Sequence, residues 1–104
     1  MSTPPIPIAK PRTLPEKIMD AACTYYSISR EQLQTREFTE HRKIVCYMLR
    51  EQAMMKFSAI ACLYGYAGHS TAVTFVEEIR ATKNIYIHIK NDIDNINKIV
   101  SSLV

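Results

Sequence analysis

The positions of proline and glycine constrain the fold of this sequence more than any other feature. All five prolines lie within the first 15 residues, and the two glycines, Gly65 and Gly68, are three positions apart. Because proline breaks helices and glycine weakens them, most of the chain is free to form helices that one turn interrupts. No stretch of useful length alternates apolar and polar residues as a strand does. The sequence therefore predicts an all-α protein.

The same two glycines exclude two large classes of nucleotide-binding enzyme. A Walker phosphate loop needs two glycines followed by Lys and Ser or Thr, and a dinucleotide fingerprint needs three glycines. The pair Gly65 and Gly68 satisfies neither pattern. A chain of 104 residues has room for one domain, and that domain can bury enough apolar surface to fold without disulfides or a metal.

Proline content divides the chain into two segments. Residues 1–12 contain four of the five prolines, which bias the backbone towards extended geometry, so we predict a Pro-rich flexible tail. Residues 13–104 are predicted to form a single helical domain. A helix-opening pattern of Ser or Thr followed three positions later by Glu or Gln occurs in it twice, as Thr13 with Glu16 and as Ser29 with Gln32. The first helix then runs to about residue 26 and the second to about residue 33.

The middle of the chain carries further boundaries. Residues 35–39 are predicted to form a loop, with Thr39 as the cap of a helix over about 40–54. Apolar residues form a stripe on that helix, namely Ile44, Val45, Met48 and Leu49. Ser58 is expected to cap a short helix over 59–64, which Gly65 ends in the usual C-terminal role of glycine.

The last 35 residues contain no glycine or proline and carry a heptad-like apolar stripe. Its members are Phe75, Ile79, Thr82, Tyr86, Ile89, Ile93, Ile96, Val100 and Leu103. The stripe is compatible with one long helix, or with two helices broken near Asn84. It either covers the core of the domain or serves as the seam of a homodimer.

The net charge and the cysteines indicate the kind of partner and the cellular compartment. The net charge of +3 is compatible with a polyanionic partner. Cys23, Cys46 and Cys62 form no CxxC pair and lie among apolar residues, so we predict three buried free thiols and a reducing cytoplasm. The N-terminus lacks the apolar core of a secretory signal, and no apolar run approaches the ~18 residues of a membrane span.

Metal and catalytic sites are not indicated. The histidines at positions 41, 69 and 88 are far apart and lack Cys or carboxylate companions at ligand spacing. The neighbouring carboxylates Asp92 with Asp94, and Glu77 with Glu78, diverge on a helix and form no catalytic pair. We therefore predict no metal, no cofactor and no enzymatic activity.

The stretch over residues 57–76 is typical of a helix-turn-helix. Such a motif needs a small residue where two helices cross closely and a glycine at the turn, and Ala61 and Gly65 fit these places. The turn is long and ends at Gly68, so a second helix begins near His69 or Ser70. The N-terminus of this recognition helix enters the major groove in DNA-binding members of the class. We place the motif at about residues 58–82.

These residues resemble the C-terminal DNA-binding domain of the bacterial replication initiator DnaA. The family's first helix ends in a tyrosine pair, here Tyr25 and Tyr26, and its long helix ends in a basic–acidic pair, here Arg50 and Glu51. The family's signature, an aromatic residue, two glycines, Arg, Asp, His, Thr or Ser, Thr and Val, is similar to residues 64–72, which read YGYAGHSTA. The resemblance implies a small helical bundle with a helix-turn-helix of the DnaA C-terminal, Trp-repressor-like type.

The resemblance also implies which residues contact double-stranded DNA. His69, Ser70 and Thr71 match the family's major-groove contacts, and Arg36 is the candidate for the minor groove. The positions implied to face or approach the DNA backbone, together with the lysine that follows the long helix, are Arg42, Lys43, Arg50, Lys56, Phe57 and Ser58. Phosphate contacts position a protein on DNA, whereas contacts to base edges give sequence preference.

Two departures from the family pattern affect sequence recognition. Ala67 and Gly68 stand where the family has Arg and Asp, and the Asp accepts a hydrogen bond from a cytosine amino group that glycine cannot accept. The loop that carries Arg36 is also shorter than the family's basic loop. The expected function is sequence-specific DNA binding in replication initiation or its regulation, by a stand-alone, nucleoid-associated cytoplasmic domain. The alternative is a protein-interaction module on a degenerate DNA-binding fold, with a replication protein as a candidate partner.

Overall fold

The computed structural model describes residues 13–103, which form six α-helices and no β-strand. The helices are α1 (Leu14–Tyr26), α2 (Arg30–Leu33), α3 (Thr39–Glu51), α4 (Phe57–Leu63), α5 (Ser70–Thr82) and α6 (Ile87–Ser102). A 3₁₀ helix, Arg36–Phe38, connects α2 to α3. The all-α prediction is confirmed. The predicted Pro-rich tail, residues 1–12, lies outside the described residues.

The first two helix starts follow the sequence prediction. The Thr13 hydroxyl accepts a hydrogen bond from the Glu16 N–H at 3.4 Å. Ser29 and Gln32 form a complete capping box, in which each side chain accepts from the other residue's backbone N–H at 3.1 and 2.8 Å. These bonds satisfy N–H groups that have no partner within a helix, which is why so short a helix as α2 forms here.

Three later boundaries differ from the prediction. The segment predicted as a loop contains the 3₁₀ helix and runs directly into α3, so Thr39 is the first residue of α3, and its hydroxyl donates to the Arg36 carbonyl at 2.9 Å. The helix ends at Glu51 rather than near residue 54, because Met54 has left-handed backbone geometry with φ +57°. Lys56, not Ser58, precedes the first residue of α4.

Gly65 ends α4 as predicted. The Gly65 N–H donates to the Cys62 carbonyl at 3.2 Å, and the Tyr66 N–H donates to the Ala61 carbonyl at 2.9 Å. This pair of bonds is the Schellman motif, which requires a left-handed residue, and Gly65 has φ +70°. The turn therefore depends on glycine at this position.

We expect Gly65→Ala to lower the free energy of unfolding by about 1–2 kcal/mol, the cost of placing an L-residue in the left-handed region. Gly68→Ala is the matched control, since Gly68 lacks that geometry and a methyl group there meets no atom within 4 Å. Urea unfolding followed by circular dichroism measures both. Equal effects of the two substitutions would contradict the role given to Gly65.

Helix α3 lies at the centre of the domain. The six consecutive residues from Ile44 to Leu49 are all buried, so the helix is enclosed on every side rather than along one stripe. It packs against α1, α4, α5 and α6. The apolar stripe predicted only part of this burial, because Cys46 and Tyr47 lie off it; Cys46 was predicted to be buried as a free thiol, and Tyr47 was not predicted.

The C-terminal region forms two helices, α5 and α6, and Asn84 lies in the break between them. Of the two alternatives, one long helix or two helices, the structure has the second. On α6, the stripe residues Ile89 and Ile96 are buried in the core that also contains Ile18 and Ala22 of α1. The Tyr25 and Tyr26 hydroxyls donate to Asp92 at 3.0 and 3.1 Å, which ties the end of α1 to α6. The structure supports the stripe as cover for the domain's own core, and homodimerisation through α6 stays a prediction.

The cysteines differ from the prediction of three buried thiols. Cys46 is buried, and burial raises the pKa of its thiol to about 12. Cys23 is partly buried, and burial also raises the pKa of its thiol. Cys62 is exposed, because α4 is covered on one side only and Cys62 lies on the other.

Candidate nucleic-acid interface

Helices α4 and α5 form two consecutive packed helices joined by a six-residue turn, residues 64–69. Ala61 of α4 and Ala72 of α5 are buried, with Val76 one turn further along α5. Small residues at these positions let the two helices approach closely, as the sequence predicted for Ala61. α3 packs against both of them, most extensively against α5. Two helices and the turn between them are therefore present, while their assignment as a helix-turn-helix of the initiator type stays a prediction.

The N-terminus of α5 is exposed and carries three of the predicted contact residues. His69 is the residue before the helix, Ser70 is its first residue, and both are exposed, while Thr71 is partly exposed. No side chain caps this end and no acidic residue lies in its first turn. The first N–H groups of a helix have no partner within it and carry partial positive charge, so this end favours anions.

A second group of predicted contact residues lies where α3 ends and α4 begins. The Arg50 guanidinium lies over the Phe57 ring, 4.3 Å from its centroid, and donates to the Met55 carbonyl at 3.0 Å. Lys56 and Ser58 are exposed beside it. The structure therefore brings together residues that the sequence had grouped only by resemblance, and it gives Phe57 the role of holding the Arg50 side chain.

Arg42 is not available as a phosphate contact, which corrects the role that the resemblance implied. It is 8% exposed. Its guanidinium donates to the carbonyls of Leu33 and Thr35 at 2.8 and 3.0 Å and to the Tyr66 hydroxyl at 2.7 Å. The side chain points inward because these acceptors come from the α2 end and from the turn after α4. Arg42 thus fixes the turn between α4 and α5 to the rest of the domain.

Lys43 is also withdrawn from the predicted DNA-facing set. Its ammonium group contacts the carboxylates of Glu40 and Glu78 at 3.0 and 2.6 Å and lies 5.5 Å from the centroid of the Phe75 ring. Hydrogen bonding to Glu78 raises the pKa of the lysine, and burial opposes this increase in part. Two carboxylates neutralise this charge, so it adds nothing to an anion-binding face.

Arg36 remains exposed on the 3₁₀ helix, beside the exposed Glu37. Thr74 is a residue that the sequence analysis did not single out. It is exposed one turn after Ser70, and its hydroxyl donates to the Ser70 carbonyl at 2.9 Å. The spacing of four residues from Ser70 was the signal that could have identified it, since such residues share a helix face.

No protein-family model, curated protein or solved structure matches this chain. The resemblance to the initiator domain therefore stays a prediction. Within residues 13–103, no three His, Cys, Asp or Glu side chains are grouped so that they could hold a metal ion. None of the helices in that range has both the length and the apolar character needed to span a membrane.

Proposed function

We propose that this chain binds double-stranded DNA, with the first turn of α5 in the major groove and the α3–α4 junction on the phosphate backbone. The observation that carries the proposal is the state of the α5 N-terminus. It is exposed, uncapped and free of acidic residues in its first turn, and the hydroxyls and imidazole beside it have no partner among the described residues. The family resemblance extends the proposal to replication initiation or its regulation.

The proposed contact set is smaller than the resemblance implied. Arg36, Arg50 and Lys56 are the cations on this part of the domain that are at least partly exposed and whose charge meets no carboxylate among the described residues. His69, Ser70, Thr71 and Thr74 are the candidates for base edges, because hydroxyl and imidazole groups hydrogen-bond there. Arg42 and Lys43 are left out because internal partners occupy them.

The salt dependence of binding distinguishes the proposed set of three cations from the set of five that the resemblance implied, which also contains Arg42 and Lys43. Each neutralised phosphate contributes about −0.9 to the slope of log affinity against log salt, so three cations predict a slope of about −3 and five a slope of about −4.5. Lys56→Ala should reduce the steepness by about 1 and weaken binding to all sequences alike. The matched control is Lys98→Ala, an exposed lysine on α6. Fluorescence anisotropy with a labelled duplex measures each slope, and a slope unchanged by Lys56→Ala would contradict the proposed backbone contact.

The alternative, a protein-interaction module on this fold, is favoured by one observation. Two of the predicted DNA-facing cations, Arg42 and Lys43, are used inside the domain. If no duplex binds even at low salt, this alternative replaces DNA binding.

A further inference from the structure

A cleft between α3, α5 and α6 lies at the opposite end of α5 from the proposed DNA contacts. It consists of two adjoining cavities of about 360 and 240 Å³ that share Glu40, Ile79, His88 and Ile89. Ile79 and Ile89 are buried and form its apolar floor. Ile79 is nine positions after Ser70, so the cleft is about 14 Å along α5 from the start of the helix.

The charge of the cleft is negative although the whole chain is positive. Glu40, Glu78 and Asp92 line it. Lys43 is in direct contact with Glu40 and Glu78 but not with Asp92, so the three carboxylates outnumber the cation. A phosphate group is repelled by this set, and a cation is attracted. The cleft therefore differs in chemistry from the α5 N-terminus.

One residue of the deeper cavity has a buried polar atom without a partner. His41 lines this cavity, and its Nδ1 atom is buried and has no hydrogen bond within the described part of the chain. The ring is held between Tyr26 and Phe38, with centroid distances of 4.2 and 5.3 Å. Because buried polar atoms nearly always have a partner, a group that brings one into this cavity gains a hydrogen bond.

The rim of the cleft exposes three consecutive large apolar side chains. Ile85, Tyr86 and Ile87 are 71, 51 and 70% exposed, and Tyr86 also lines the outer cavity. Contiguous exposed apolar surface bordered by polar residues is typical of a protein interaction site.

We propose that this cleft takes a Lys or Arg side chain of another protein, next to an apolar residue that packs on Ile85 and Ile87. Such a side chain combines an apolar stem, which suits the floor of Ile79 and Ile89, with a cationic head for the carboxylates. Arginine adds several N–H donors in a fixed fork, which suit both a carboxylate and a ring nitrogen such as His41 Nδ1. This second surface is independent of the proposed DNA contacts, so both partners can bind together.

The test uses a capped tripeptide, isoleucine–alanine–arginine, added to the full chain and followed by amide NMR. We expect saturable shifts at Ile79, Thr82 and Ile89, and at least about fivefold weaker binding when glutamine replaces the arginine. The double variant Glu40→Gln, Glu78→Gln should weaken binding by a similar factor. Glu77→Gln is the matched control, because Glu77 is adjacent to Glu78 in sequence but does not line the cleft.

Three outcomes would overturn this proposal. One is an absence of shifts in the cleft, and another is equal binding of the arginine and glutamine peptides. The third is much tighter peptide binding by the Lys10→Gln, Arg12→Gln variant, because the chain's own N-terminal cations would then be the occupant. The proposed DNA contacts fail separately: Lys56→Ala should leave peptide binding unchanged, and Glu40→Gln, Glu78→Gln, which frees the Lys43 charge, should not weaken duplex binding.

Discussion

Replacement of Arg42 by alanine is expected to destabilise the domain by about 3 kcal/mol or more. The change leaves the Leu33 and Thr35 carbonyls and the Tyr66 hydroxyl without the charged donor that they share. The bond to Leu33 is buried and the other two are partly buried. A buried polar group that loses its partner costs about 1–3 kcal/mol, and the two partly buried groups add to that cost. Because the free energy of unfolding of a typical domain is roughly 5–15 kcal/mol, this loss is a large fraction of the total.

Urea unfolding of the Arg42→Ala variant measures this effect, and Arg36→Ala is its control. Arg36 carries the same charge but is exposed, so its loss should change stability by no more than about 0.5 kcal/mol. If the two variants were equally stable, the Arg42 hydrogen bonds would not hold the turn. The same comparison in a DNA titration should show that only Arg36→Ala lowers the affinity of the folded protein.

The second large effect is expected for Ile96→Asp, which should unfold the domain. Ile96 is fully buried on α6, in the core shared with α1. An unpaired carboxylate at such a position costs several kcal/mol, because it loses its hydration and gains no partner. Circular dichroism should show loss of helix at room temperature.

The control for this prediction is Asn91→Asp, which adds the same charge at an exposed position of α6. We expect that variant to remain folded. Sedimentation of Ile96→Asp also tests the homodimer alternative. A folded monomer would show that the α6 stripe is a seam between two copies rather than cover for one core.

Local signals made parts of the fold predictable. The caps at Thr13 and Ser29 and the turn at Gly65 each depend on residues within five positions, so sequence alone identified them. The end of α1 shows the limit of this approach. Ser27 takes the left-handed geometry that is usual for glycine, with φ +58°, and its side chain gives no sign of it.

The burial of Arg42 and the ion pairing of Lys43 could not be predicted either, for a different reason. Arg42 and Lys43 are adjacent in sequence, but each residue turns a helix by about 100°, so they face different surroundings. The Tyr66 hydroxyl that holds Arg42 is 24 residues away, and Glu78, which neutralises Lys43, is 35 residues away. Only the packing of α5 on α3 brings these partners close.

The exposure of His69 and Ser70 at the start of α5 was predictable, because it depends only on where that helix begins. Gly68 and the residues after it placed that start near His69, and the structure begins α5 at Ser70. The cleft beside α6 was not predictable, since Glu40, Glu78 and Asp92 come from three separate helices.

The most direct test of DNA binding through α5 is an amide NMR titration of the chain with a short duplex at low salt. We expect the largest shifts at His69, Ser70 and Thr71, with a second group at Arg50 and Lys56. The amides of Ile85 and Ile87, at the other end of α5, should remain unchanged. Shifts confined to that far end, or no shifts at a duplex concentration well above that of the protein, would contradict the proposed function.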